Sequence, residues 1–140
     1  MRKIMIVDDN YLSAEGIEKN IDWEVLNAEI VHICYNGTSA IDAMKKEPVD
    51  LIISDIEMPD LDGISMSRQA LDINPMVKII LISAYDKFEY ARRALLLGAL
   101  DYIEKPLDYA YLIQKVKNAF ALMEREQKNL QLLKQKIGRA

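Results

Sequence analysis

The chain has 140 residues, enough for one domain with a substantial hydrophobic core. Hydrophobic residues make up 51%, and 22 acidic against 18 basic residues leave a net charge of -4, which excludes an overall basic nucleic-acid footprint. The single cysteine, Cys34, excludes an intrachain disulfide, and no apolar run approaches a signal peptide or the roughly 20 residues of a membrane span, so a cytoplasmic protein without membrane contact is expected.

The first apolar run, predicted as a strand over 3–8, carries Ile4-Met5-Ile6-Val7 and ends on Asp8-Asp9. A helix is predicted over 11–20, and Trp23 is expected to pack beneath it. The second strand, 29–35, holds His32 and Cys34, both read as strand residues rather than ligands. A helix over 38–46 follows, with Thr38 as a candidate cap. The third strand, 50–55, ends on Asp55, just before the turn-rich Met58-Pro59-Asp60-Leu61-Asp62-Gly63 and a helix over 64–74. The fourth strand, 78–83, ends on Ser83. Asp86 and Glu89 suggest a capping box for a helix over 87–97, and Gly98 its stop. The fifth strand, 101–104, runs into Lys105-Pro106, and a last helix starts at 109.

The strand centres are continuous Ile, Val and Leu, as in strands covered on both faces. Five β-α units in a row predict a parallel sheet with right-handed crossovers, whose crevice lies beyond the C-terminal strand ends. Asp8, Asp9, Asp55, Ser83 and Lys105 all fall at such ends. Crowded carboxylates repel unless a hard divalent cation sits among them, and Mg²⁺ beside an ammonium suits a phosphoryl group. Asp55 is then the phosphoryl acceptor, Asp9 a direct metal ligand and Asp8 a ligand through water. The backbone carbonyl of Glu57 is a further candidate ligand. Lys105 would reach the phosphoryl group, with a cis bond to Pro106 aiming it inward. The Ser83 hydroxyl would donate to a phosphoryl oxygen. Tyr102 is either ordinary packing or a switch that fills the space Ser83 vacates. No dinucleotide loop, Walker loop, nucleophile elbow or zinc spacing is present.

IVDD with the acidic pair, SDIEMPDLDG around Asp55, ISA with Ser83 and DYIEKP with Tyr102 and Lys105 together resemble the receiver domain of bacterial two-component response regulators. The resemblance covers about residues 2–122. It implies a flavodoxin-like three-layer sandwich with strand order 2-1-3-4-5 and five helices, the last extended. It also implies Mg²⁺ dependence and phosphorylation of Asp55 by a sensor histidine kinase. Receivers assist their own phosphorylation and hydrolysis but do not turn over a separate substrate, so no enzyme is expected. Glu57 and Tyr85 stand where the family tunes phosphoryl lifetime, and a bulky Tyr85 suggests slow self-dephosphorylation. SAYDKFEYARRALLLGALDYIEKP and Trp23 look most like receivers joined to AraC-type DNA-binding domains.

Residues 123–140 read as an extended helix or linker toward an output domain, so DNA would be reached only through a domain outside this chain. Leu112, Val116, Ala119, Met123, Glu126, Leu130, Leu133 and Ile137 follow a 4-3 spacing. A parallel two-stranded coil through this seam, giving a homodimer, is expected, against a lone solvated helix. Other readings stay open: a stand-alone receiver or phosphorelay protein, a phosphorylation-independent dimerisation module, and a phosphohydrolase using Glu57 as its second acid.

Overall fold

The computed structural model describes residues 1–84, 89, 92–93, 96, 98 and 101–138. Its elements are β1 (Arg2–Val7), α1 (Tyr11–Lys19), β2 (Ala28–Cys34), α2 (Gly37–Lys46), β3 (Leu51–Asp55), α3 (Gly63–Ile73), β4 (Lys78–Ser83), β5 (Asp101–Glu104) and α4 (Tyr109–Gly138). All four strand pairings are parallel, in the order β2-β1-β3-β4-β5. The described residues thus hold four helices, against the five expected. The helix predicted over 87–97, its cap Asp86, and Tyr85 lie largely outside the described residues. Gly98 is described and has φ 102, a conformation open to glycine and strained for other residues.

Strand periodicity distributes the apolar runs between two cores. Met5, Val7, Ile52, Ile79 and Leu81 point to one face, with Ala40, Met44, Ile64 and Ala70 of α2 and α3. Ile4, Ile6, Leu51, Ile53, Ile80 and Ile82 point to the other, with Ala14 and Ile17 of α1 and the first half of α4. Consecutive residues therefore leave water on opposite sides, which is why the runs show no polar alternation. Each such side chain contributes about 1.5–3 kcal/mol of transfer free energy, upper values given a compact unfolded chain.

Helix starts follow local side-chain chemistry. Asn10 caps α1, Asn36 caps α2 through Ser39 N–H, and Asp62 caps α3. Thr38 is thus inside α2 rather than at its cap. Its backbone N–H instead donates to Asp60 Oδ2 at 3.1 Å. The two oxygens of Asp60 so tie the β3–α3 loop to the start of α2. Trp23 is buried against α1, with its indole N–H donating to Ile17 O.

Helix α4 is a single 30-residue element. Leu112, Val116, Ala119 and Met123 are buried on the sheet, whereas Leu130, Leu133 and Ile137 are exposed. Glu126 pairs with Lys78, the first residue of β4, at 2.8 Å. None of the helices is long and apolar enough to cross a membrane among the described residues.

Candidate functional site

Strand ladders bring the candidate residues together. Val7 pairs with Ser54, and Asp55 pairs with Ile82, so β1, β3 and β4 end at nearly one level. Beyond those ends, Asp8, Asp9 and Asp55 each offer a carboxylate oxygen, all within 4.8 Å of one another. Lys105 comes from the end of β5, where its N–H donates to Ser83 O. Its Nζ lies 3.3 Å from Asp55 Oδ2. The Lys105–Pro106 peptide is cis.

The carboxylates sit in unequal surroundings. Asp8 is 2% exposed and Asp55 6%, whereas Asp9 is exposed. Burial pushes the Asp8 carboxyl up to about 6, although Asn10 N–H donates to it at 2.9 Å. The nearby Asp55 charge pushes the same way, and Lys105 opposes it. Burial also raises Asp55, countered first by Lys105 and then by the Glu57 backbone N–H. One ammonium therefore leaves this acidic group electrostatically unsatisfied. An all-oxygen donor set of this charge fits a hard divalent cation such as Mg²⁺.

The backbone under Asp55 is closely supported. Ser54 Oγ donates to Asp55 O at 2.8 Å, and Ile56 N–H to Ile82 O at 3.0 Å. Gly63 opens α3 so close to this strand end that a Cβ there would collide with Asp55 O and meet Ile56 Cα at 2.9 Å. Glycine at this position is a packing requirement set by the backbone of Asp55 and Ile56.

The remaining candidates are arranged less directly. Ser83 is fully buried, and its hydroxyl donates to Glu57 Oε1 at a long 3.4 Å. That Glu57–Ser83 contact was not foreseen from the sequence, because no local spacing reports a contact between adjacent strand ends. Tyr102 pairs with Leu81, while Ser83 pairs with Glu104. Tyr102 therefore lies two residues back from Ser83 along the same face, packed on the α2–α3 core. Asn10, Asp62 and Gly63 are supporting residues the sequence reading missed or undervalued, and cap spacing before each helix was the available signal for the first two. His32 lies away from the cluster, with Nε2 2.9 Å from Glu47 O. Cys34 is a buried core thiol whose pKa is raised by burial.

A parallel sheet in this order, with three carboxylates and a lysine at its C-terminal edge, defines a receiver-type signalling module. The chain belongs to the response regulator receiver domain family, whose pattern matches residues 4–117. Among solved structures, the receiver domain of AraT, a response regulator from Geobacillus stearothermophilus, superposes with a TM-score of 0.85 at 34% identity, covering 90% of this chain and 98% of that one. YesN, an uncharacterised transcriptional regulatory protein of Bacillus subtilis, is 29% identical over 126 residues, covering 90% of this chain and 34% of its own length. The transcriptional regulatory protein HptR of Staphylococcus aureus is 32% identical over 114 residues, covering 80% and 44%. The chain thus spans less than half the length of YesN and of HptR.

Proposed function

We propose that this chain is a phosphorylation-controlled switch that accepts a phosphoryl group on Asp55 from a sensor histidine kinase, with Mg²⁺, in the cytoplasm. The observation that carries the reading is Lys105 Nζ on Asp55 Oδ2 at 3.3 Å, beside the Asp8, Asp9 and Asp55 oxygens. An Asp55 oxygen attacks phosphorus, the P–N bond to the donor imidazole breaks, and the imidazole leaves and takes up a proton. The product is an acyl phosphate. Asp8, Asp9, Asp55 and the Glu57 carbonyl would hold Mg²⁺, which supplies positive charge to the oxygens of the transferring group.

The chain's own groups complete the transfer. Lys105 stabilises the phosphoryl oxygens and holds the acceptor in place beforehand. Ser83 would exchange its weak bond to Glu57 for one to the phosphoryl group. That pull on the end of β4 would be passed to Tyr102 on β5. Glu57 and Tyr85 would set how readily water reaches the acyl phosphate. The longer relatives are named as transcriptional regulators, which supports a DNA-binding output outside these residues. Charge agrees, since this chain is net acidic.

Incubation with acetyl phosphate and Mg²⁺ should add one phosphoryl group by intact mass. Asp55→Ala and chelator should each abolish it. Undiminished labelling of Asp55→Ala would sink the assignment.

A further inference from the structure

The start of α2 touches both loops that border the acidic cluster. On one side, Asp8 N–H donates to Cys34 O at 3.0 Å, at the end of β2 just before α2 begins. On the other, the β3–α3 loop reaches α2 through Asp60. Its Oδ2 accepts from Thr38 N–H at 3.1 Å and its Oδ1 from Gly37 N–H at 3.3 Å. The Thr38 hydroxyl donates to the same carboxylate. With these N–H groups and that of Leu61 it holds the Asp60 carboxyl below the usual carboxylate range, at about 2. The positive end of the helix dipole favours a carboxylate there as well. The backbones are equally close: a Cβ on Gly37 would collide with Leu61 O and lie 2.8 Å from Leu61 Cβ.

This contact bears on one candidate metal donor above the others. Asp55 is the last residue of β3, and strand pairing sets its place. Glu57, whose backbone carbonyl is the further donor, lies in the loop itself. The base of that loop is closed by Gly63 N–H on Ile56 O at 2.8 Å. Met58 is buried in the core shared with α2 and α3, and Asp60 ties the outer part to α2. Mg²⁺ demands near-ideal octahedral geometry at about 2.0–2.1 Å, whereas Ca²⁺ takes flexible sites at about 2.3–2.6 Å. A loop held at both its base and its outer part resists the expansion a larger ion needs.

We propose that Asp60 is a positioning residue that sets the ion-size preference of the cluster, favouring Mg²⁺ over Ca²⁺ by tying the Glu57-bearing loop to α2. This rests on the metal site proposed for Asp8, Asp9 and Asp55. Both Asp60 oxygens are committed to α2, so it acts through the loop and not as a ligand. Selectivity is a difference of two affinities, and a support that restricts the loop changes that difference.

Calorimetric titration of Mg²⁺ and of Ca²⁺ into the full chain tests this, read as the ratio of the two affinities. Both ions carry the same charge, so a change in local charge alone cancels in the ratio. Asp60→Ala should weaken Mg²⁺ several-fold and Ca²⁺ little, lowering the ratio several-fold. Asp60→Asn keeps an oxygen for one α2 N–H group, so its ratio should fall between those of Asp60→Ala and the parent. An Asp60→Ala ratio equal to the parent's, with circular dichroism unchanged, would overturn the proposal. If Asp60→Ala does not fold, Asp60→Asn and Thr38→Val carry the test, and unchanged ratios in both overturn it. A parent chain that binds neither ion would instead remove the metal site itself, and the proposal with it.

Discussion

Asp8 and Asp9 are neighbours in sequence with opposite surroundings, and this determines what each substitution does. Asp8 is buried and its pKa is raised from 3.8 to about 6. The folded state then binds a proton more tightly than the unfolded chain. The stability this proton contributes is fully present below 3.8 and is lost as pH rises through about 6. Without metal, the charged Asp8 is therefore a cost at neutral pH. Asp8→Asn in chelator should stabilise the fold at pH above 7 by about 1–2 kcal/mol, discounted for solvent reaching the cluster, and by little near pH 4. Urea unfolding at both pH values measures this, and a uniform destabilisation would contradict the buried-charge account. Mg²⁺ binding should respond otherwise: Asp9→Ala should weaken it more than Asp8→Ala. Equal and normal affinities in both variants, by calorimetry, would remove the metal pocket. The types and strand-end positions of these residues were legible in the sequence. Their unequal burial was not, because neighbouring loops cover one carboxylate and leave the next in water.

At the scale of elements, α3 packs directly on the strand end that carries Asp55. Asp62 Oδ1 accepts from Ile64 N–H and Ser65 N–H, both at 2.9 Å, and fixes where α3 begins. Gly63 lets that helix start touch the Asp55 backbone. Gly63→Ala should cost about 1–3 kcal/mol, because the added methyl meets backbone rather than a movable side-chain end. It should also slow phosphorylation from acetyl phosphate, since Asp55 must shift to make room. A variant as stable and as quickly labelled as the parent would show that the close approach is absent. Asp62→Ala should cost about 1 kcal/mol through the lost cap. The Asp62-Gly63 pair read plainly as a turn in the sequence. That the glycine answers to the end of β3 depends on a contact across a loop, which local spacing does not encode.

For the whole molecule, the Lys78–Glu126 pair marks where α4 leaves its own domain. Its side chains are 13% and 29% exposed, so the pair is partly shielded from water. Lys78→Met should destabilise by about 1 kcal/mol, mostly through the carboxylate left without its partner. Hydrogen exchange should show α4 strongly protected through Met123 and poorly protected beyond Glu126 at low protein concentration. Slow exchange beyond Glu126 in a dilute monomer would contradict this division. The same pair gives Glu126, the one charged member of the 4-3 stripe, a partner within the chain.

The sequence by itself determined a parallel sheet and the cluster of Asp8, Asp9, Asp55 and Lys105, while the strand order came from the resemblance to receivers. Continuous apolar runs mark strands covered on both faces, and parallel topology forces their C-terminal ends to one edge. Helix starts were legible to within a residue or two, because capping is a local bond between a side chain and a nearby N–H. Only the tertiary structure decided that Asp8 is the buried carboxylate, that Ser83 rests on Glu57, and that Tyr102 sits opposite Leu81. It also decided which way the α4 stripe faces. A 4-3 spacing specifies a stripe without naming what covers it. Here this chain's own sheet covers the upper half and leaves Leu130, Leu133 and Ile137 exposed.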